Sequence, residues 1–151
     1  MRHARGNDVV EALHRFGLER ERLRTALARR LAIPVTDLDA LEHLESAGPQ
    51  SQRELADRLL LSSGAVTFLV DRLERAGLVS RQAHPTDRRT TLVTLYPGAK
   101  LPEVPELDDY HAALRRTASE LSATGSAAVA GFLSAVTAEA EVATKRLASG
   151  R

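Results

Sequence analysis

Two arginines stand side by side at Arg88 and Arg89, directly after Asp87 and beginning three residues after Pro85, inside the run Ala83-His84-Pro85-Thr86-Asp87-Arg88-Arg89-Thr90. Proline and aspartate are turn formers. The two guanidiniums therefore sit at the tip of a narrow turn, the shape and charge that suit a DNA minor groove. Asp87 is placed to pair with Arg89 and fix its rotamer. A second group lies upstream: Ser51 and Gln52, then Ser62, Ser63, Ala65, Thr67 and Arg72. Small hydroxyl, amide and methyl groups near a helix N-terminus can meet base edges or phosphates, and an arginine further along can reach a phosphate or pair with a neighbouring acid. This is the chemistry of recognition, not of bond-making.

Signals for catalysis are missing. The chain has no glycine-rich phosphate loop, no HExxH and no GxSxG. Its five histidines, His3, His14, His43, His84 and His111, include no pair at three- or four-residue spacing, so no metal and no cofactor is expected. The chain is read as a non-enzyme.

The elements that must carry these residues are legible. Ser51-Gln52-Arg53-Glu54 is a capping box that opens a helix with Leu55, Ala56, Leu59 and Leu60 on its apolar side. Ser62 or Ser63 caps a second helix, and Gly64 leaves room there for close backbone approach. In it, Val66, Leu69, Val70 and Leu73 recur at three- and four-residue spacing and face one core. Gly77 suits a left-handed stop, with Leu78 packing back on Leu73. From Leu78 to Tyr96 the alternation of Val79 with Arg81, and of Val93 and Leu95 with Thr94 and Tyr96, reads as a β-hairpin whose tip is the arginine turn. Helix, turn, helix and hairpin make a winged helix-turn-helix.

This stretch resembles the DNA-binding lobe of the MarR family of bacterial transcriptional regulators. The resemblance is carried by Leu55-Ala56, Val66-Thr67, Leu69-Val70-Asp71-Arg72-Leu73-Glu74, Gly77-Leu78-Val79, Asp87-Arg88-Arg89, Val93-Thr94-Leu95 and Gly98. It implies a homodimeric regulator, a repressor by preference, bound to a pseudo-palindromic stretch of double-stranded DNA. Arg89 then corresponds to the family's minor-groove arginine. It also implies a small-molecule effector bound between lobes, often aromatic or phenolic. The 2 Tyr, 3 Phe and 0 Trp of this chain leave few aromatic side chains to line such a pocket. The alternative is a winged-helix module that binds protein and not specific DNA.

The remaining chain is expected to frame this lobe. The fold class is mainly α with a small β-hairpin wing, as one domain over 1–151. The winged-helix lobe is placed at 34–98, and helices for dimerisation at 8–33 and 104–148. Val9, Leu13, Phe16, Leu23 and Leu27 approximate a heptad seam on a first helix to Leu31, interrupted by Arg20. Thr36 is read as the cap of a second helix with Leu38, Leu41 and Leu44 on one face, stopped by Gly48-Pro49. Two prolines, Pro102 and Pro105, delay the next helix to about Pro105. It runs to Leu121, and an Ala-rich last helix carries Val129, Phe132, Leu133, Val136 and Val142. At 151 residues, 0 cysteines and net charge +1, with no apolar leader and no uninterrupted apolar run near the roughly 20 residues of a membrane span, a cytoplasmic protein without a membrane partner is expected. From Gln50 to Thr90, 7 Lys and Arg stand against 5 Asp and Glu; from Leu101 onward, 5 stand against 7.

Overall fold

The structure, a computed structural model, describes residues 2–87, 89–99 and 103–150, with side chains from Gly6 onward. The chain divides into two compact units, Met1–Pro102 and Glu103–Arg151. The first holds α1 (Arg2–Leu31), α2 (Val35–Ala47), β1 (Gln50–Ser51), α3 (Gln52–Leu59), α4 (Ser63–Arg75), β2 (Val79–Ala83) and β3 (Thr91–Leu95). The second holds α5 (Pro105–Ser119) and α6 (Ala123–Ser149). The structure is mainly helical with a small sheet, as the residue pattern implies.

Local chemistry sets the boundaries. The Ser51 capping box opens α3 with both of its reciprocal hydrogen bonds. Ser62 caps α4 by accepting from the Ala65 N–H. Gly77 takes φ +70°, and the N–H of Leu78 reaches the Leu73 carbonyl at 3.0 Å while that of Gly77 reaches Glu74 at 2.9 Å. That is a full Schellman stop. Ser122 caps α6 through the Gly125 N–H, so the small-residue stretch after Leu121 is a helix start.

Four expectations are corrected. First, α1 begins at Arg2, seven residues before Val9. Second, Thr36 does not cap α2; the Pro34 carbonyl accepts from Asp37 and Leu38, and Pro34 is the cap with no side-chain bond. Third, the sheet has three strands in the order β1-β3-β2, because Gln50 and Ser51 pair with Val93 and Leu92 outside the hairpin. Fourth, Leu60, expected on the apolar side of α3, is instead its exposed left-handed end residue at φ +55°, and Ala32 after α1 takes the same φ. Packing must hold these two against a local cost of about 1–2 kcal/mol each.

The core of the first unit is a single cluster. Leu41 and Leu44 from α2, Leu55 from α3, and Val66, Leu69, Val70 and Leu73 from α4 meet Leu78, Val79 and Val93. Ala28 is the buried residue of α1. On α2 the cluster is joined by a polar anchor that periodicity does not reveal. Asp37, only 1% exposed, accepts from Arg72 Nε at 2.7 Å and from Nη2 at 2.5 Å. This bidentate pair ties the start of α2 to the flank of α4. Arg24 of α1 makes a second link, lying against Asp39 and Glu42.

The second unit buries none of its described side chains, and Leu114, Leu121, Val129, Leu133, Val142 and Leu147 are exposed. By length and composition α6 is also apolar enough to cross a membrane, with none of that stretch buried. Ser, Thr and Gly interrupt its apolar run in sequence.

Losing Arg72 strands a buried carboxylate. Arg72→Ala should cost about 3 kcal/mol in a urea titration, and Asp37→Leu combined with Arg72→Met should recover most of that. A loss below about 1 kcal/mol for the single variant would mean the pair does not hold α4 to α2.

Candidate nucleic-acid interface

The face that α4 can offer is decided by what it buries. Val66, Leu69, Val70 and Leu73 are each at most 2% exposed. At 3.6 residues per turn the opposite side is Gly64, Phe68, Asp71 and Arg75. Ser63 and Thr67 border it on one flank, and Ala65 and Arg72 on the other. Ser62, Ser63, Gly64, Thr67 and Phe68 are exposed, and Ala65 is half-buried.

The N-termini of α3 and α4 are joined at this surface. Thr67 Oγ1 lies 2.9 Å from the Ser63 carbonyl and 3.2 Å from Gln52 Oε1. Its single proton serves one of the two at a time. Ser51, Gln52, Ser63 and Thr67 therefore form one patch of hydroxyl and amide groups at two helix starts. The positive end of a helix dipole favours an anion. Glu54 sits in the same place. Its carboxyl is held below its ordinary value of 4.5, first by the Ser51 backbone N–H and then by the Ser51 hydroxyl.

Arg72 is the residue whose placement differs most from a free contact. Two of its guanidinium nitrogens are engaged by Asp37, and the side chain is 46% exposed. The carboxylate raises the Arg72 pKa further, chiefly through that hydrogen bond. The ion pair is the reading that the geometry favours, and only the outer nitrogen edge remains for another ligand.

The wing is organised by two residues. Asp87 Oδ1 accepts from the Arg89 backbone N–H at 3.0 Å, and Oδ2 from the Thr90 hydroxyl at 2.7 Å. The expected ion pair between Asp87 and the Arg89 guanidinium is absent among the described residues. The carboxylate is used by the turn itself, and those two bonds hold the Asp87 pKa below its ordinary value. The Thr86 and Asp87 N–H groups donate to His84 Nδ1 at 3.3 and 3.1 Å. His84 is thus a turn cap that histidine spacing could not reveal. The Arg89 side chain is exposed at the tip. Arg88 lies outside the described residues.

One further residue escapes a reading of the sequence. Arg81 shares the inward face of β2 with Val79, where an apolar side chain would be usual. It crosses to α4 instead, donating to Asp71 Oδ1 at 2.5 Å and contacting Glu74. This links the wing to α4 and pairs with two acids on it. Its position two residues from Val79 is the one available signal. No group of three His, Asp or Glu side chains that could hold a metal occurs among the described residues.

Helix pair, three-stranded sheet and arginine-tipped hairpin define a winged helix-turn-helix. Residues 33–91 match the model of the MarR family. The uncharacterized HTH-type transcriptional regulator YcgE of Bacillus subtilis is 37% identical over 61% of this chain and 60% of its own length. The matches to curated relatives cover 60% or less of those proteins. Among solved structures, the reduced form of MarR from E. coli is 27% identical, with a TM-score of 0.55 over 83% of this chain and 93% of that one. A MepR variant of S. aureus, bound to an oligodeoxyribonucleotide, has the same fold at 21% identity, with a TM-score of 0.54 over 84% of this chain and 94% of that one. The curated relatives are HTH-type transcriptional regulators.

The Glu54 cap gives a pH signature. Its pKa is depressed in the fold, so its stabilisation is complete above 4.5 and is lost as pH falls through the lower folded value. Glu54→Gln keeps the hydrogen-bonding shape and removes the titration. Thermal midpoints should therefore fall less between pH 5 and pH 3 in the variant than in the wild type, and equal acid sensitivity would contradict the assignment.

Proposed function

We propose that the chain is a sequence-specific DNA-binding transcriptional regulator, working in the cytoplasm as a homodimer on a pseudo-palindromic operator. The observation that carries this is the outward face of α4: exposed, small or polar at its N-terminal end, and locked to the wing by Arg81. The surface from Ser62 to Arg72 enters a major groove. Ser51 and Gln52 at the start of α3 meet a phosphate. Arg88 and Arg89 enter the flanking minor groove, with Asp87 shaping the turn that presents them. Arg72 holds α4 in place and offers its outer edge to the backbone. The oligonucleotide bound by the MepR variant supports duplex DNA as the ligand of this fold.

Exposed apolar side chains support the dimer. Phe16 and Leu18 on α1, Leu114 on α5, and Val129, Leu133 and Val142 on α6 are all more than 40% exposed in a single chain. A second copy covers them. On α6 the apolar positions are mostly Ala, and Glu139, Glu141, Lys145 and Arg146 crowd its C-terminal half. That pattern suits close helix packing in protein better than a lipid span. Two recognition helices set about 34 Å apart then read two half-sites one helical turn apart.

Repression is the simplest consequence, since a dimer seated on a promoter blocks polymerase. A small effector would act by preferring one spacing of the two lobes, and could change DNA affinity only by that difference. The competing role, a winged helix that binds protein alone, has no observation favouring it over the arginine tip.

Selection of fragments from random duplex DNA tests binding, symmetry and spacing together. The full chain should enrich an inverted repeat and sediment as a dimer at micromolar concentration. Arg89→Ala should weaken binding at any flanking sequence and lower the salt slope by about one for each phosphate that the arginine neutralises. A monomer, or a variant with unchanged affinity and slope, would overturn the wing contact or the paired geometry.

A further inference from the structure

Phe68 has no structural reason to face water. It is 72% exposed, against 51% for Leu60 and 50% for Tyr96, the other exposed large apolar side chains described in the winged-helix lobe. Leu60 is held outward as the left-handed end residue of α3, and the Tyr96 ring lies against Gly98. A lone surface aromatic is ordinary in itself. This one is not placed ordinarily: it stands in the middle turn of α4, at the centre of the side opposite the buried residues.

Its neighbours limit what that face can read. One turn earlier is Gly64, at which an added Cβ would meet nothing within 4 Å. Nothing inside the chain requires glycine there, and alanine is the better helix former. The space is therefore available to something outside. One turn later, Asp71 is engaged by Arg81. Thr67, on the flank, already bonds the Ser63 carbonyl. Arg75, two turns after Phe68, ends the same side and donates its Nε to the Asp71 carbonyl at 3.2 Å, so the first turns of the face hold no arginine for guanine and no asparagine or glutamine for adenine. Those turns offer an aromatic ring and a bare stretch of backbone. In a major groove the apolar feature that distinguishes one base pair from the others is the 5-methyl group of thymine.

We infer that Phe68 packs on the 5-methyl group of one thymine in each half-site, with Gly64 allowing the helix to approach closely enough for that contact. This rests on the DNA-binding reading above and names a residue that sets its specificity. Burying one methyl group in such a contact is worth about a fourfold change in affinity, and about fifteenfold when both half-sites are altered.

The test uses the full chain and the duplex it selects from a random pool. Each thymine is replaced in turn by deoxyuridine, which keeps every pairing group and removes only the methyl. The wild type should lose about fourfold at one thymine per half-site. Phe68→Ala should bind more weakly and be indifferent to that same replacement, while Phe68→Leu should retain part of the discrimination. Gly64→Ala should melt no lower than the wild type yet bind DNA less tightly. Wild-type binding that no deoxyuridine disturbs, or a Phe68→Ala protein with the same methyl dependence, would overturn the contact while leaving DNA binding intact. Affinity undiminished in Gly64→Ala would overturn the close approach. A wild type that enriches no duplex at all would overturn the DNA-binding reading and this contact with it.

Discussion

The rotation of α4 about its own axis is the constraint on which the rest depends. Val66, Leu69, Val70 and Leu73 enter the core almost completely, and burial of that size holds a short helix far more firmly than its propensity does. Two ion pairs then brace its flanks. Arg72 reaches the buried Asp37 of α2, and Asp71 with Glu74 receives Arg81 from β2. With the buried side and the two ion-paired flanks fixed to the lobe, one face is left, and it is the face proposed to meet base pair edges. Because Arg81 belongs to a wing strand, the same contacts set the position of the hairpin against that helix.

Charge serves geometry here more than attraction. The chain as a whole is at +1, too little to hold DNA by its net field. Among the described residues four arginines of the first unit, Arg22, Arg24, Arg72 and Arg81, are engaged by carboxylates of the same unit. Non-specific attraction must then come from a few local sources: the helix starts at Ser51 and Ser62 and the arginine tip. A protein built this way should depend on fit, with weak binding wherever the fit fails.

Much of the lobe is legible in the sequence because its signals are local. The Ser51–Glu54 box, the Ser62 cap, the Gly77 stop and the strand alternation around Val79 and Val93 each declare themselves within a few residues. The features that escape are set by partners distant in sequence. Asp37 reads as a first-turn acid helped by the helix dipole, and nothing near it reveals that Arg72, 35 residues on, will bury it. β1 is a strand only because β3 lies beside Gln50 and Ser51. Ala32 and Leu60 turn left-handed without glycine, since the helices on either side dictate the corner. His84 becomes a cap through loop geometry that no spacing rule encodes. Phe68 is easily passed over because an aromatic in an amphipathic helix is ordinarily counted as core. The second unit is legible as helices but not as an assembly, since Ala-rich helices with no buried side chain take their packing from another surface.

The central claim is that α4 and the wing engage one duplex together, in adjoining grooves. The chain contains no cysteine, so a single introduced thiol gives a unique attachment point for a chelated iron that cuts nearby DNA. Tethers placed through Ser63→Cys on α4 and Thr86→Cys on the wing should both cleave the same half-site, the first from the major groove and the second from the neighbouring minor groove, with opposite strand offsets. Tight binding with cleavage from only one tether, or from neither, would contradict the account.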